Sequence, residues 1–276
     1  MTTDDRPISI RTFSFGGGVQ STAVLVLQAE KKLPELYDAF IFANVGDDSE
    51  HPETIRYFHE VHKPFAEKHG IQLEEVRKVR RDGTTPTLLE YTKNDLRSIR
   101  IPMYMAGGGP GRRSCTADYK IHVVRKWQRQ NGSSKKSPAI CGLGISVDEI
   151  QRARTDSGFE DQLLEYPLID MGLKRKDCYS IIKNAGLPEP PRSSCWFCPF
   201  HSVEEWRRLK RRTPDLFEQA VELETMLGDR RESLGKDRSY MTRFNRPLDQ
   251  VIDDQLILFD DDSEGPHGCD SGSCFT

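Results

Sequence analysis

The stretch Ser14-Phe15-Gly16-Gly17-Gly18-Val19-Gln20-Ser21-Thr22 decides how this chain reads. An alternating run over residues 8–13 precedes it and predicts a strand. Ala23-Val24-Leu25-Val26-Leu27-Gln28-Ala29 follows and predicts the first turns of a buried helix. Three glycines let the backbone approach a ligand without Cβ interference. Ser21 and Thr22 fall at the helix start, where unpaired N–H groups and the positive end of the dipole attract phosphate. Strand, glycine loop and helix in that order is the context that a phosphate-loop reading requires. A Walker loop is excluded because Gln20 stands where Lys is needed. The dinucleotide fingerprint is excluded because no further glycine follows at the right offset. A glycine-rich turn without a ligand is the plainer alternative.

Outward from the loop, strands and helices alternate. Residues 37–42 predict a second strand, leading into Asn44-Val45-Gly46-Asp47-Asp48 and His51-Pro52-Glu53-Thr54. A helix with Pro52 in its first turn is expected to reach about His69, with Gly70 as its stop, and residues 71–79 alternate as a third strand. This order predicts an α/β fold with a doubly wound, mostly parallel sheet and helices on both faces, followed by a C-terminal helical extension. Ligands in such sheets bind beyond the carboxyl ends of the strands, so the Ser14 loop and the 44–54 segment are expected to meet. Residues 84–93 read as a short helix. Residues 103–113, with Gly107, Gly108, Gly109 and Gly111, read as a mobile loop suited to a substrate lid or a plain linker. Then come a helix over 114–130, a strand over 139–142, a helix start at 148–152, a last strand over 164–169 and a helix over 174–185. Two more helices are expected over 203–211 and 214–234. Residues 1–187 therefore form the nucleotide-binding domain, 188–245 carry a Cys-x-x-Cys clip and the helical extension, and 246–276 form an acidic, flexible tail. On this division the clip lies after the sheet, apart from the loop.

The 276 residues are 36% apolar, with a mean hydropathy of −0.63 and no apolar run of membrane-span length. Residues 1–5 lack the character of a signal peptide, and seven cysteines is an odd number, which favours reduced thiols, metal ligands or redox chemistry over a disulfide framework. The expectation is a cytoplasmic protein with no membrane partner. The net charge of −3 hides an asymmetry. Residues 97–136 carry ten cations (Arg97, Arg100, Arg112, Arg113, Lys120, Arg125, Lys126, Arg129, Lys135 and Lys136) against Asp118 alone, which suggests a polyanion surface or a solvated helix face.

Cys195-Trp196-Phe197-Cys198-Pro199 is a two-ligand clip that zinc, an iron–sulfur cluster or a redox couple could each use. It sits in a Pro-rich loop between helices, which places metal binding ahead of redox use, and His201 is an added ligand candidate. Cys115 lies eighty residues upstream. Cys141 and Cys178 sit in apolar patterns and read as core residues. Cys269 and Cys274 near the C-terminus could relay sulfur, supply a further ligand or stand aside.

Four stretches carry a family resemblance. Gly16–Ser21 resembles the S-G-G-x-D-S loop of the PP-loop ATP pyrophosphatases, with Gly16 and Gln20 replacing Ser and Asp. Asn44-Val45-Gly46 followed by Pro52-Glu53-Thr54 resembles the D-T-G…P-E-T signature of their phosphoadenosine phosphosulfate (PAPS) reductase branch. Gly142 to Arg152 resembles its G-x-R-x-x-[ED]-S…R segment without the first Arg. Cys115-Thr116-Ala117-Asp118-Tyr119-Lys120 resembles the C-C-x-x-x-K of iron–sulfur adenylylsulfate (APS) reductases, with Thr116 in place of the second cysteine. The resemblance spans residues 8–200.

What the resemblance implies is ATP-driven activation of a nucleic-acid oxygen as an adenylate, then sulfur displacement of AMP. The nearest case is the ATP pyrophosphatases of DNA phosphorothioation, with a cysteine desulfurase as sulfur donor. DNA stands ahead of tRNA as acceptor, and a homo-oligomer is compatible. In that reading Ser14, Gly16, Gly17, Gly18, Gln20, Ser21 and Thr22 hold ATP. Asp47 or Asp48 holds Mg2+, Arg152 and Lys120 neutralise phosphoryl charge, and Cys115, Cys195 and Cys198 hold a [4Fe–4S] cluster or, alternatively, Zn2+. His51 and Asp48 are candidate bases. The rivals are a sulfonucleotide (PAPS/APS) reductase with Cys269 or Cys274 as nucleophile, a tRNA thiolase with a three-cysteine cluster, and a non-catalytic nucleotide-binding adaptor.

Overall fold

Thr12, Phe13, Ser14 and Phe15 are all buried, as expected of a parallel strand covered on both faces. They belong to β1 (Arg11–Phe15) of a computed structural model that describes residues 5–95, 98–106 and 109–253. β2 (Ala39–Asn44) and β3 (Leu73–Arg77) lie to one side of β1. The short β4 (Tyr104–Met105) lies outside this sheet, while β5 (Ala139–Leu143) and β6 (Gln162–Glu165) complete it on the other side. The order is β3-β2-β1-β5-β6, every neighbour is parallel, and Phe13 stands opposite Phe40 and Gly142. The direction of winding reverses between β1 and β5, so the switch-point crevice opens where these two strands end.

α1 (Val19–Ala29) covers one face. So does a rod over residues 52–68, made of α2 (Pro52–Tyr57), a π-turn (Phe58–His62) and α3 (Lys63–Lys68). Phe42 stacks on Phe58 at 4.3 Å between ring centres, inside a cluster with Phe13, Phe15, Phe40, Leu168 and Ile182. Each such buried ring contributes about 1.5–3 kcal/mol relative to exposure. α4 (Leu88–Asn94) starts with a capping box from Thr87 and Glu90. The helix over residues 114–130 consists of α5 (Ser114–Thr116), a second π-turn (Ala117–Ile121) and α6 (His122–Gln130). It packs Val123, Val124 and Trp127 on the other face of the sheet, against Ile41 and Leu143. The doubly wound parallel sheet is therefore as expected.

α7 (Pro167–Asp170) corrects the last strand. β6 ends at Glu165, and residues 167–170 are helical because Pro167 has no N–H for a ladder and a φ suited to a first helical turn. α8 (Arg175–Asn184) returns beside α1. α9 (Val203–Arg212) and α10 (Pro214–Ser233) form the extension. Its core is not its own. Trp196, Phe197, Trp206 and Leu227 share one cluster with Val45, Leu88, Leu89, Ile101, Met103 and Tyr119. A boundary at residue 188 therefore does not separate two cores.

Two further expectations change. The segment 103–111 is tied down among its described residues. Met103 is buried, Gly111 N–H donates to the Met103 carbonyl, and β4 pairs antiparallel with β7 (Ser239–Tyr240). Gly107 and Gly108 lie outside the described residues. The acidic tail begins with order: α11 (Leu248–Asp253) buries Leu248, Val251 and Ile252. Residues 254–276, with Cys269 and Cys274, lie outside the described residues. Among the described residues no helix is long and apolar enough to cross a membrane.

Candidate functional site

The glycine loop turns directly from β1 into α1. Gly17 has φ +78°, which an L side chain tolerates poorly, and Gly18 is the N-cap. The N–H groups of Val19, Gln20 and Ser21 precede the first helical donor, Thr22, so they are open to an external anion. Thr22 is different. Its N–H donates to the Gly18 carbonyl at 2.9 Å and its hydroxyl donates to the same oxygen at 2.8 Å. Ser21 Oγ donates to that carbonyl as well, at 2.9 Å. The Thr22 backbone therefore cannot join a phosphate cradle, and both hydroxyls are turned inward.

Sequence reasoning missed what holds this turn. The π-turn in residues 58–62 brings His62 into the core, with Nε2 2.9 Å from Thr22 Oγ1. Since the Thr22 hydroxyl donates to Gly18, His62 Nε2 carries the proton and donates to Thr22. Burial pushes the His62 pKa down to about 3, so the ring is neutral. Ser14 lies buried at the end of β1, its hydroxyl without a hydrogen bond.

Gln20 is 2% exposed and its amide is taken up by protein partners. Its amide nitrogen donates to Ser146 Oγ at 3.0 Å and to Glu149, while its oxygen accepts from Arg175. Glu149 in turn pairs with Arg152 at 2.7 Å. The 3-10 turn Val147–Arg152 after β5 is thereby bolted to the first turn of α1, and Arg152 reaches the site as half of an ion pair.

The 44–54 segment does meet the loop. Around Gly17 stand Thr54, Phe42 and Ser193, at 3.6–3.8 Å from where a Cβ would be. Asn44 Nδ2 donates to Asp47 and Glu75, and Asp47 pairs with Arg77 at 2.6 Å, which holds its carboxyl below the usual range. Asp48 is exposed, and its carboxylate accepts from Ser49 and Thr87 hydroxyls at 2.8 and 2.9 Å. His51 caps α2 through Nδ1, which accepts from Glu53 N–H at 3.2 Å; the neutral ring thus keeps its proton on Nε2.

Glu50 carries a signal that the sequence hid. It is 1% exposed, neither carboxylate oxygen makes a hydrogen bond, and Lys120 Nζ stands 3.9 Å away. Burial raises its pKa, and the ammonium opposes the rise. The second π-turn delivers Lys120 to this spot, so Lys120 and Glu50 are one buried unit.

The cysteine clip is stitched to this crevice rather than set apart from it. Glu50 and Cys195 form an antiparallel bridge, His51 N–H donates to the Ser194 carbonyl at 3.0 Å, and Trp196 N–H donates to Ser49 at 3.3 Å. Ser193 Oγ donates to the Gly16 carbonyl. Cys195 and Cys198 are buried in a turn closed by Cys198 N–H on the Cys195 carbonyl, and half-buried Cys115 packs against the same cluster. Three thiols on one cluster suit a thiolate-held group in chemistry. Among the described residues, however, no three His, Cys, Asp or Glu side chains stand together as a ready ligand set. Cys141 and Cys178 are core thiols, pushed up to about 12 by burial.

At least five of the ten cations in the basic stretch are paired with acids. Arg100 pairs with Asp95 and Asp118, Arg125 and Arg129 both grip Asp161, Lys135 pairs with Glu160, and Lys120 faces Glu50. Arg97 lies outside the described residues. No family model and no curated protein matches the chain.

Proposed function

We propose that the chain is an ATP pyrophosphatase of the PP-loop, PAPS reductase-like type, which adenylates a nucleic-acid oxygen so that sulfur replaces it, with DNA phosphorothioation as the setting. One observation carries the reading: the loop with open N–H groups and the Cys195–Cys198 turn share a single stitched segment at the switch point. In the first step the acceptor oxygen attacks the α-phosphorus of ATP and pyrophosphate leaves. In the second, sulfur takes the place of that oxygen, which departs with AMP. The N–H groups of residues 17–21 hold phosphate oxygens. Asp48 is the carboxylate offered to Mg2+, since Asp47 is committed to Arg77. Lys120 and Arg152 offset phosphoryl charge from within their ion pairs. Cys115, Cys195 and Cys198 are the residues that would hold an iron–sulfur cluster or Zn2+. Such a group would supply a place for the transferred sulfur, which a cysteine desulfurase would deliver as a persulfide and a thiol reductant would bring to the sulfide level. The protein would act in the cytoplasm.

Pyrophosphate release from ATP and Mg2+, measured with and without DNA or tRNA, tests this. Release that an acceptor stimulates and that Gly17→Ala abolishes is the expected result. Sulfite release from a sulfonucleotide in place of pyrophosphate would make the chain a reductase. ATP binding with no turnover would make it an adaptor.

A further inference from the structure

On the far side of residues 192–194 from the glycine loop lies a cavity of about 190 Å³, walled by Arg192, Ser194, His201, Arg208, Arg212 and Glu53. Arg208 and Arg212 are four residues apart on α9 and so project from one face. Neither makes an ion pair among the described residues, in contrast to Arg192, which is held by Glu205 at 2.5 Å. The facing carboxylates are therefore one neutralised group, Glu205, and one other, Glu53. Two guanidiniums against a single acid leave an excess of one positive charge. Arg208 and Arg212 are both exposed, so an anion can reach them from solvent.

The cavity also holds an unmet polar atom. His201 Nδ1 is buried without a hydrogen bond, while its Nε2 lies 2.9 Å from Ser194 Oγ. With the Ser194 hydroxyl donating to Nε2, Nδ1 carries the proton, and the ring's other polar neighbour is the Cys195 backbone. Burial keeps the ring neutral, so it is a hydrogen-bond donor and not a charge. Two fork-shaped cations and one neutral N–H suit a tetrahedral oxyanion. Arg192 contributes the wall's link to the loop, because its carbonyl faces Thr54 Oγ1 and the next residue, Ser193, bonds Gly16.

We propose that this cavity is a phosphate-binding site which seats a backbone phosphate of the acceptor nucleic acid beside the nucleotide loop. The acceptor's identity rests on the function proposed above; the phosphate chemistry of the cavity does not.

The test uses the full chain, wild type against Arg208→Gln/Arg212→Gln, with Lys126→Gln/Lys136→Gln as the comparison from the basic stretch. Binding of a short DNA duplex is followed by anisotropy from low to moderate salt, ATP binding by calorimetry, and binding of adenosine 3′,5′-bisphosphate as a free phosphate source. The expected result is at least tenfold weaker duplex binding in the α9 variant. Its log–log salt slope should be shallower by about 0.9 for the one lost phosphate contact, with ATP affinity unchanged and the comparison variant near wild type. Wild-type binding that the α9 variant retains with the same slope would overturn the cavity and leave the acceptor reading standing. No duplex binding, with bisphosphate binding that depends on Arg208 and Arg212, would keep the phosphate site and remove the nucleic-acid acceptor. Binding of neither ligand would overturn both.

Discussion

Glu224→Gln should erase a pH dependence that ties the C-terminal segment to α10. Glu224 is 2% exposed, and its two oxygens accept the N–H groups of Met241 and Leu248 at 2.6 and 2.7 Å. Burial pushes its pKa from 4.5 up to about 7, against the pull of those two N–H groups. The folded chain therefore holds this proton more tightly than the unfolded chain. The stability that the group contributes is fully present below about pH 4.5 and is lost as pH rises through about 7. A gap from 4.5 to about 7 corresponds to about 3 kcal/mol of pH-dependent stability. Glutamine cannot titrate. Its carbonyl keeps one N–H, and its NH2 faces the other, at a cost of about 1–3 kcal/mol that does not vary with pH. Urea unfolding between pH 4.5 and 8.5 measures the difference, and amide exchange at Met241 and Leu248, corrected for intrinsic rates, places it locally. The wild-type curve should fall relative to the variant by about 3 kcal/mol across the window. Parallel curves would show that Glu224 is already ionised at low pH and that its two bonds, not its burial, set its state.

Other outcomes follow from clashes, pairs and thiols. Gly46→Ala should cost about 2–5 kcal/mol in denaturant unfolding, since φ is +131° and the new Cβ would lie 2.5 Å from Thr87 Cβ; a change below about 0.5 kcal/mol would refute the geometry. Lys120→Met should destabilise by about 3–5 kcal/mol by stranding the Glu50 carboxylate, and adding Glu50→Gln should restore most of that; additive losses would show that the two are not coupled. Anaerobically purified protein should carry about four irons, lost on replacing Cys115, Cys195 or Cys198 by Ser and kept on replacing Cys141 or Cys178; one zinc and no iron would make the clip a structural staple.

The sheet was legible because its strands are short apolar or alternating runs bounded by turn signals, and because the alternation of strands with helices announces a parallel sheet locally. The glycine loop was legible for the same local reason. What failed was non-local. β4 is two residues long, and its partner at Ser239–Tyr240 lies far along the chain, so residues 103–111 looked like a free loop. The cations at 125 and 129 looked like a surface because their common acid, Asp161, arrives from the end of another crossover. Glu50 read as one acid among several in Asp47-Asp48-Ser49-Glu50, and only the strand-like contact with residues 194–196 buries it. His62 stayed hidden because a π-turn shifts the helical period on which the pattern reading relies. Within the loop, the residue types were legible, but which N–H groups remained open was not, since Thr22 spends its own on Gly18.

The hydroxyl of Ser193 on the Gly16 carbonyl has a thermodynamic consequence. Gly16 belongs to the turn that would receive phosphate, and Ser193 stands two residues before the first thiol of the clip. Whatever orders one of these segments pays part of the ordering entropy of the other, so two ligands at the two places must help each other by the same factor in either order of addition. Emptying the clip should weaken nucleotide binding, and nucleotide should slow loss of whatever the clip holds. A Ser193→Ala chain would be the molecule in which the two ends stop keeping each other's accounts.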